Sequence, residues 1–199
     1  MKYLIVFLLL VPSVYAWDYE GHKAIVEYVY YSTDMQFKFN LSRLQEGAIA
    51  PDKIFRDQRR HHYPDTLALA NKWLNNNSDI SYNFGVASHY ISDSFVSPHY
   101  VKNEKYKDHM AFEKQAVSIN MECKYYNFNF DKELARGALN VKDWKYWLRS
   151  RDKKIPQREM DQAVKLVLSV AIKKFNLTCI KKTRFEDHNV FKKAWSIIH

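Results

Sequence analysis

Apolar residues recur along most of the chain at intervals of three and four, the period of helices with one buried face. Ile25, Val26, Val29 and Tyr30 predict a helix over 18–32. Asn40 caps a helix running to Ala50, which Pro51 is expected to end. Pro64 and Asp65 open another through Leu74, stopped by the asparagines at 75–77. Phe84, Ala87 and Ile91 mark one side of a helix over 79–94, and the next is expected over 104–121. Residues 123–130 (CKYYNFNF) alternate as a strand would, but the loop reading is preferred. Short helices follow over 131–139 and 141–149. Pro156 starts a long one through Phe175, with Met160, Val164, Leu166, Val167 and Val170 apolar, and a last helix is expected over 185–198. No segment reads as a sheet, and no repeat or linker divides the chain. The fold class is therefore all-α, a single compact multi-helix domain.

The first residues follow another pattern. Lys2 precedes a short apolar run at 4–12 (LIVFLLLVP), and Val14-Tyr15-Ala16 is a small-x-small cleavage signal. The run is too short to span a bilayer comfortably. Residues 1–16 read as a signal peptide cut after Ala16, leaving a secreted domain, 17–199, that begins at Trp17; the alternative is an uncut anchor. Export implies an oxidising compartment, where Cys123 and Cys179 could pair, although sequence cannot show that they meet. Three Asn-x-Ser/Thr triplets, at Asn40, Asn76 and Asn176, are compatible with export.

With 199 residues, 47% of them apolar, and only four Gly and five Pro, the chain can bury a full core and has little room for disorder. The net charge of +9 is uneven. Residues 1–100 carry nine Lys and Arg against ten Asp and Glu, and residues 101–199 carry 22 against 12. A basic second half suits an anionic membrane or a nucleic acid, and equally a solvated helical surface. Trp144, Tyr146 and Trp147, beside Lys142, Lys145 and Arg149, are either interfacial or part of the core.

Six of the eight histidines lie between residues 22 and 109, each near a carboxylate or another histidine. His89 and Asp93 are four apart on one helix face, and His109 and Glu113 repeat that spacing with His99 between the two pairs. One such pair is an ordinary surface feature; two pairs with an intervening histidine point to a metal, and imidazole with carboxylate is the usual ligand set of catalytic zinc. Asp52 and His61-His62 can approach the same focus from loops or helix ends. A Trp17 freed by cleavage would offer its α-amine and carbonyl oxygen as a five-membered chelate, with His22 close by.

From the mature N-terminus to about residue 117, the motifs WDYEGH, APD, HHYPD, HYISDSFVSPH and HMAFE occur in an order and spacing that resembles zinc-dependent phospholipase C and the related fungal single-strand-specific nucleases. The resemblance implies three zinc ions. One would be held by Asp52, His61, His89 and Asp93, and a second by His99, His109 and Glu113. The third would be held by Trp17, His22 and a bridging Asp93. His61 is chosen over His62 because His61-His62-Tyr63 matches the family's His-aromatic-Tyr. Glu113 looks like the phospholipase branch, and the WDYEGH spacing like the nuclease branch. The expected activity is phosphodiester hydrolysis by metal-activated water, most readily in phospholipid headgroups, with Asp52 orienting the water or taking its proton. Glu20 is a further acid–base candidate or a plain helix N-terminal carboxylate. The alternatives are a nuclease acting on nucleic acid and a secreted zinc-binding protein without turnover. No obligate protein partner is evident.

Overall fold

The computed structural model describes residues 19–116 and 118–180. The signal segment, Trp17 and the helix expected over 185–198 lie outside the described residues. Eight α-helices are present among those described: α1 (Tyr19–Ser32), α2 (Leu41–Ala50), α3 (Asp65–Leu74), α4 (Ile80–Asp93), α5 (Tyr106–Glu113), α6 (Phe130–Gly137), α7 (Val141–Ser150) and α8 (Lys154–Phe175). The fold is all-α. Pairing of extended chain among the described residues is limited to one antiparallel bridge between Thr33 and Cys179.

The middle of the molecule is α4. Twelve of its 14 residues are buried, because α1, α2, α3 and α8 all pack on it. Its start is set by Asp79, whose side chain accepts a hydrogen bond from the Tyr82 amide at 3.0 Å, and that of α2 by Asn40, which accepts from Arg43 at 3.1 Å. Where α2 crosses α4, Gly47 faces Gly85. A Cβ on Gly47 would lie 2.1 Å from the Tyr82 carbonyl oxygen, and one on Gly85 would lie 2.2 Å from that of Leu44. The backbones meet at a distance that no other residue allows. Ile25, Val29, Leu44, Phe84, Ile91, Val164, Val167 and Leu168 form the main core around this crossing.

One expected boundary is met and one is corrected. α2 ends at Ala50 with Pro51 as its cap, as expected. Pro51 then opens a π turn, Pro51–Phe55, which closes only at Arg56 in the left-handed region (φ 53). Proline cannot give the amide hydrogen of the ordinary helical ladder, and the chain widens instead of stopping. The helix expected over 104–121 is confined to α5, Tyr106–Glu113. The chain beyond it leaves helical geometry because tertiary contacts claim its polar groups. The Met121 carbonyl accepts from Tyr28 at 2.8 Å, the Ser118 carbonyl accepts from Gln157 at 2.6 Å, and the Tyr126 amide donates to Ser169 at 3.2 Å. Cys123, in the same stretch, forms a disulfide with Cys179 across 5.7 Å between Cα atoms. Residues 123–129 are irregular, as the loop reading had it.

Trp144 and Trp147 are buried, so of the three aromatics weighed for an interface only Tyr146 is exposed. With Phe112 and Ile155 they make a second, smaller core. Phe112 meets the two indoles at 5.6 and 5.1 Å between ring centres, which anchors α5 from beneath.

Candidate metal centre

Every described residue expected to ligate a metal faces one continuous cluster. His89 and Asp93 come from the last turns of α4, and His22 comes from the first turn of α1. Asp52 comes from the π turn, and His61 from the turn before α3. His99 comes from a 3-10 turn, Ser97–Tyr100, and His109 and Glu113 from α5. Four overlapping groups result: His22, His89 and Asp93; Asp52, His61 and His89; His61, Asp93 and His99; His99, His109 and Glu113. Within each, the ligand atoms lie within 4.8 Å of one another.

The spacing suits zinc. Bonds of about 2.0–2.1 Å in a tetrahedron put neighbouring ligand atoms roughly 3.3 Å apart. Here His22 Nε2 lies 3.3 Å from Asp93 Oδ1, and His89 Nε2 and His61 Nδ1 lie 3.0 and 2.8 Å from Asp93 Oδ2. Asp52 Oδ1 is 3.6 Å from His61 Nδ1 and 3.9 Å from His89 Nε2. Despite these approaches, His89 Nε2 and both Asp93 oxygens are buried without a directed hydrogen bond. Buried polar atoms left in this state are costly unless a cation sits among them.

Each histidine has its other nitrogen occupied. His89 Nδ1 donates to the Ala48 carbonyl at 2.7 Å. His22 Nδ1 lies 3.1 Å from Ser92 Oγ; that hydroxyl gives its own hydrogen to the His89 carbonyl, so His22 is the donor. His99 Nδ1 faces the His61 and Asp93 carbonyls at 3.2 and 3.4 Å. Asp57 takes His61 Nε2 at 3.1 Å and the Tyr90 hydroxyl at 2.7 Å, and Glu104 takes His109 Nδ1 at 2.9 Å. These contacts set each tautomer so that the free lone pair points into the cluster. His62 is turned elsewhere, 6.0 Å from the Tyr100 ring, whereas His61 is 3% exposed inside the cluster.

A family model of zinc dependent phospholipase C matches residues 21–175. The chain belongs to this family. It is thus a zinc-dependent, phospholipase C-like hydrolase, consistent with the cluster of imidazoles and carboxylates. Comparisons with curated proteins and with solved structures give no match.

Burial and neighbouring charges shift the ionisable groups of this hydrolase's site strongly. Burial alone would push the Asp93 carboxyl up, but His89, His22, His99 and His61 hold it well below the carboxylate range. Burial raises Asp52 and Glu113. Burial and the neighbouring His89 push His22 down, and burial takes His99 to about 3. For His61 and His109 burial is outweighed by carboxylate partners, which lift them to about 10 and about 9.

Four supporting residues escaped the sequence reading. Asp57 stands four residues before His61 and Glu104 five before His109, spacings that were passed over, and Tyr90 reads as core. Glu159 is buried on α8, and its Oε2 accepts from the Ser97 amide at 2.9 Å, fixing the turn that carries His99. Only the Asp57–His61 spacing of four gives a local signal; the Tyr90–Asp57 and Glu159–Ser97 contacts have none. Glu20 lies in the first turn of α1 and pairs with Lys23 at 2.8 Å, in keeping with a helix N-terminal carboxylate.

Proposed function

We propose that the protein is a secreted phospholipase C that hydrolyses the phosphodiester bond of phospholipid headgroups. Zinc would be held by His22, Asp52, His61, His89, Asp93, His99, His109 and Glu113, with three ions in all. Once the signal peptide is removed after Ala16, the Trp17 amine and carbonyl would complete the site beside His22. The observation that carries this reading is the Asp93 carboxylate, buried, without a directed hydrogen bond, and faced by three imidazole nitrogens within 3.3 Å. A carboxylate so placed suits a bridge between two cations.

Bound zinc would supply Lewis-acid charge for the phosphate oxygens and bring the pKa of water down toward about 7. The chain's own residues do the rest. Asp52 is 22% exposed at its side chain, against 2% for Asp93 and 8% for Glu113, so it reaches toward incoming substrate. Its raised proton affinity suits it to orient the attacking water and take its proton. Asp93 holds the spacing of the two groups it joins, and Asp57, Tyr90 and Glu104 keep the imidazoles aimed. The Cys123–Cys179 disulfide fits an oxidising compartment, and no described helix is long and apolar enough to cross a membrane.

The test is release of phosphorylated headgroup from phosphatidylcholine by the secreted, N-terminally sequenced protein. Activity should vanish with chelator, return with zinc and be lost in Asp52→Asn. Hydrolysis of single-stranded nucleic acid without lipid turnover would move the protein to the nuclease reading. Bound zinc with neither activity would sink the enzymatic reading.

A further inference from the structure

Between Asp52 and His61 the chain leaves the cluster and returns to it. Asp52 and Asp57 face inward, while Lys53, Ile54, Phe55, Arg56, Arg59 and Arg60 are exposed. Ile54 is 61% exposed and Phe55 is 37% exposed, on a turn that tertiary contacts hold at both ends. Phe55 stacks face to face on Trp73 at 5.5 Å, and the Lys72 ammonium lies 5.7 Å from the same indole. Lys53, Arg56 and Arg59 have no ion-pair partner among the described residues, and Arg60 reaches Asp65 only at 4.0 Å. The outward surface of this turn therefore joins an apolar tip to uncompensated positive charge. It borders Asp52, the most exposed of the cluster's grouped carboxylates.

We propose that this turn docks the protein on an anionic lipid bilayer. Ile54 and Phe55 enter the interface, Lys53, Arg56 and Arg59 meet the headgroups, and the Asp52 side of the cluster is brought against the membrane. The proposal deepens, and rests on, the phospholipid reading above. An aliphatic tip beside cations matches a lipid interface, where apolar insertion and electrostatic attraction add. It matches a nucleic acid poorly. Single strands call for open aromatic faces, and one face of Phe55 is already covered by Trp73.

Docking can be measured without catalysis. The zinc-loaded protein is sedimented with vesicles of digalactosyl diacylglycerol containing sulfoquinovosyl diacylglycerol, an anionic lipid with no phosphodiester to cleave. Binding is expected at low salt, weaker at high salt, and weaker again on purely neutral vesicles. Each lost surface cation should reduce partitioning by roughly fivefold. Lys53→Glu with Arg59→Glu should therefore lower it by well over tenfold, and Ile54→Asn should lower it at every salt concentration. Unchanged melting temperatures would show that the variants fold. Equal binding by wild type and variants, or no binding by wild type, overturns the proposal. So does a loss confined to binding of a single-stranded oligonucleotide. Because these vesicles cannot be hydrolysed, intact docking on them together with no headgroup release from phosphatidylcholine in the separate assay would count against the catalytic reading alone.

Discussion

His89 and Ala48 are joined by a hydrogen bond that decides what the imidazole can do. A carbonyl oxygen can only accept, so His89 Nδ1 carries the hydrogen at 2.7 Å and Nε2 is left with its lone pair toward Asp93. That bond exists because α2 and α4 touch at Gly47 and Gly85, which bring Ala48 against the last turns of α4. Helix packing here sets the tautomer of a clustered imidazole.

Gly85→Ala should separate the two helices. The new Cβ would lie 2.2 Å from the Leu44 carbonyl oxygen, a backbone atom that yields only if α2 moves. A stability loss of about 1–3 kcal/mol is expected for overpacking of this kind. Zinc content should fall with it, because the bond to Ala48 is lost. Denaturant unfolding with metal analysis of the same sample checks both. A variant with full stability and full zinc would contradict the argument.

Asp57→Asn should leave the fold standing and weaken the site. Asp57 receives both His61 Nε2 and the Tyr90 hydroxyl, and the amide would accept from only one of them well. Losing an outer partner of a metal-bound histidine costs about 10–100-fold in affinity or activity. Competition with a chromophoric chelator reads the affinity.

Zinc uptake should release protons. In the metal-free protein His61 and His109 are lifted from 6.5 to about 10 and about 9, so both are charged at neutral pH. Each must give up its hydrogen to bind a cation, and apparent zinc affinity should rise with pH until these values are passed. The metal-free fold should change in the opposite sense. The stabilisation from these two charged imidazoles is fully present below 6.5 and fades as pH rises through about 9 and about 10. Calorimetry in buffers of different ionisation enthalpy counts the protons, expected near pH 7 to be about two from these imidazoles and about one more from the Trp17 amine.

Glu159→Gln should stabilise the protein increasingly as pH rises. Burial holds the Glu159 carboxyl well above its ordinary value of 4.5, so the folded state keeps a proton that the unfolded chain has released. The contribution is fully favourable below 4.5 and is lost as pH climbs through the raised value. An amide keeps an oxygen for the Ser97 amide and removes that loss. Thermal unfolding of both forms from acid to neutral pH should give curves that diverge upward. A lower melting temperature for the variant at neutral pH would refute the reading.

The helices and the spacing of several clustered side chains were legible in the chain itself, because each is a local property. The period of three and four marks a buried face, Asn40 caps α2 with its own side chain, and residues four apart, such as His89 and Asp93, must share one side of a helix. The family resemblance could be read from motif order for the same reason. What needed the tertiary structure were contacts between segments distant in sequence. The choice between His61 and His62 depends on which one turns toward Asp93. The end of α5 depends on polar groups of α1 and α8 capturing the chain after Glu113. Trp144 and Trp147 became core because they stack on each other at 5.2 Å and Phe112 of α5 packs edge-on against both. Tyr90 and Glu159 became visible as supports only through Asp57 and Ser97, 33 and 62 residues away. Periodicity reports which face of an element is buried; it carries no information on what another element places against that face.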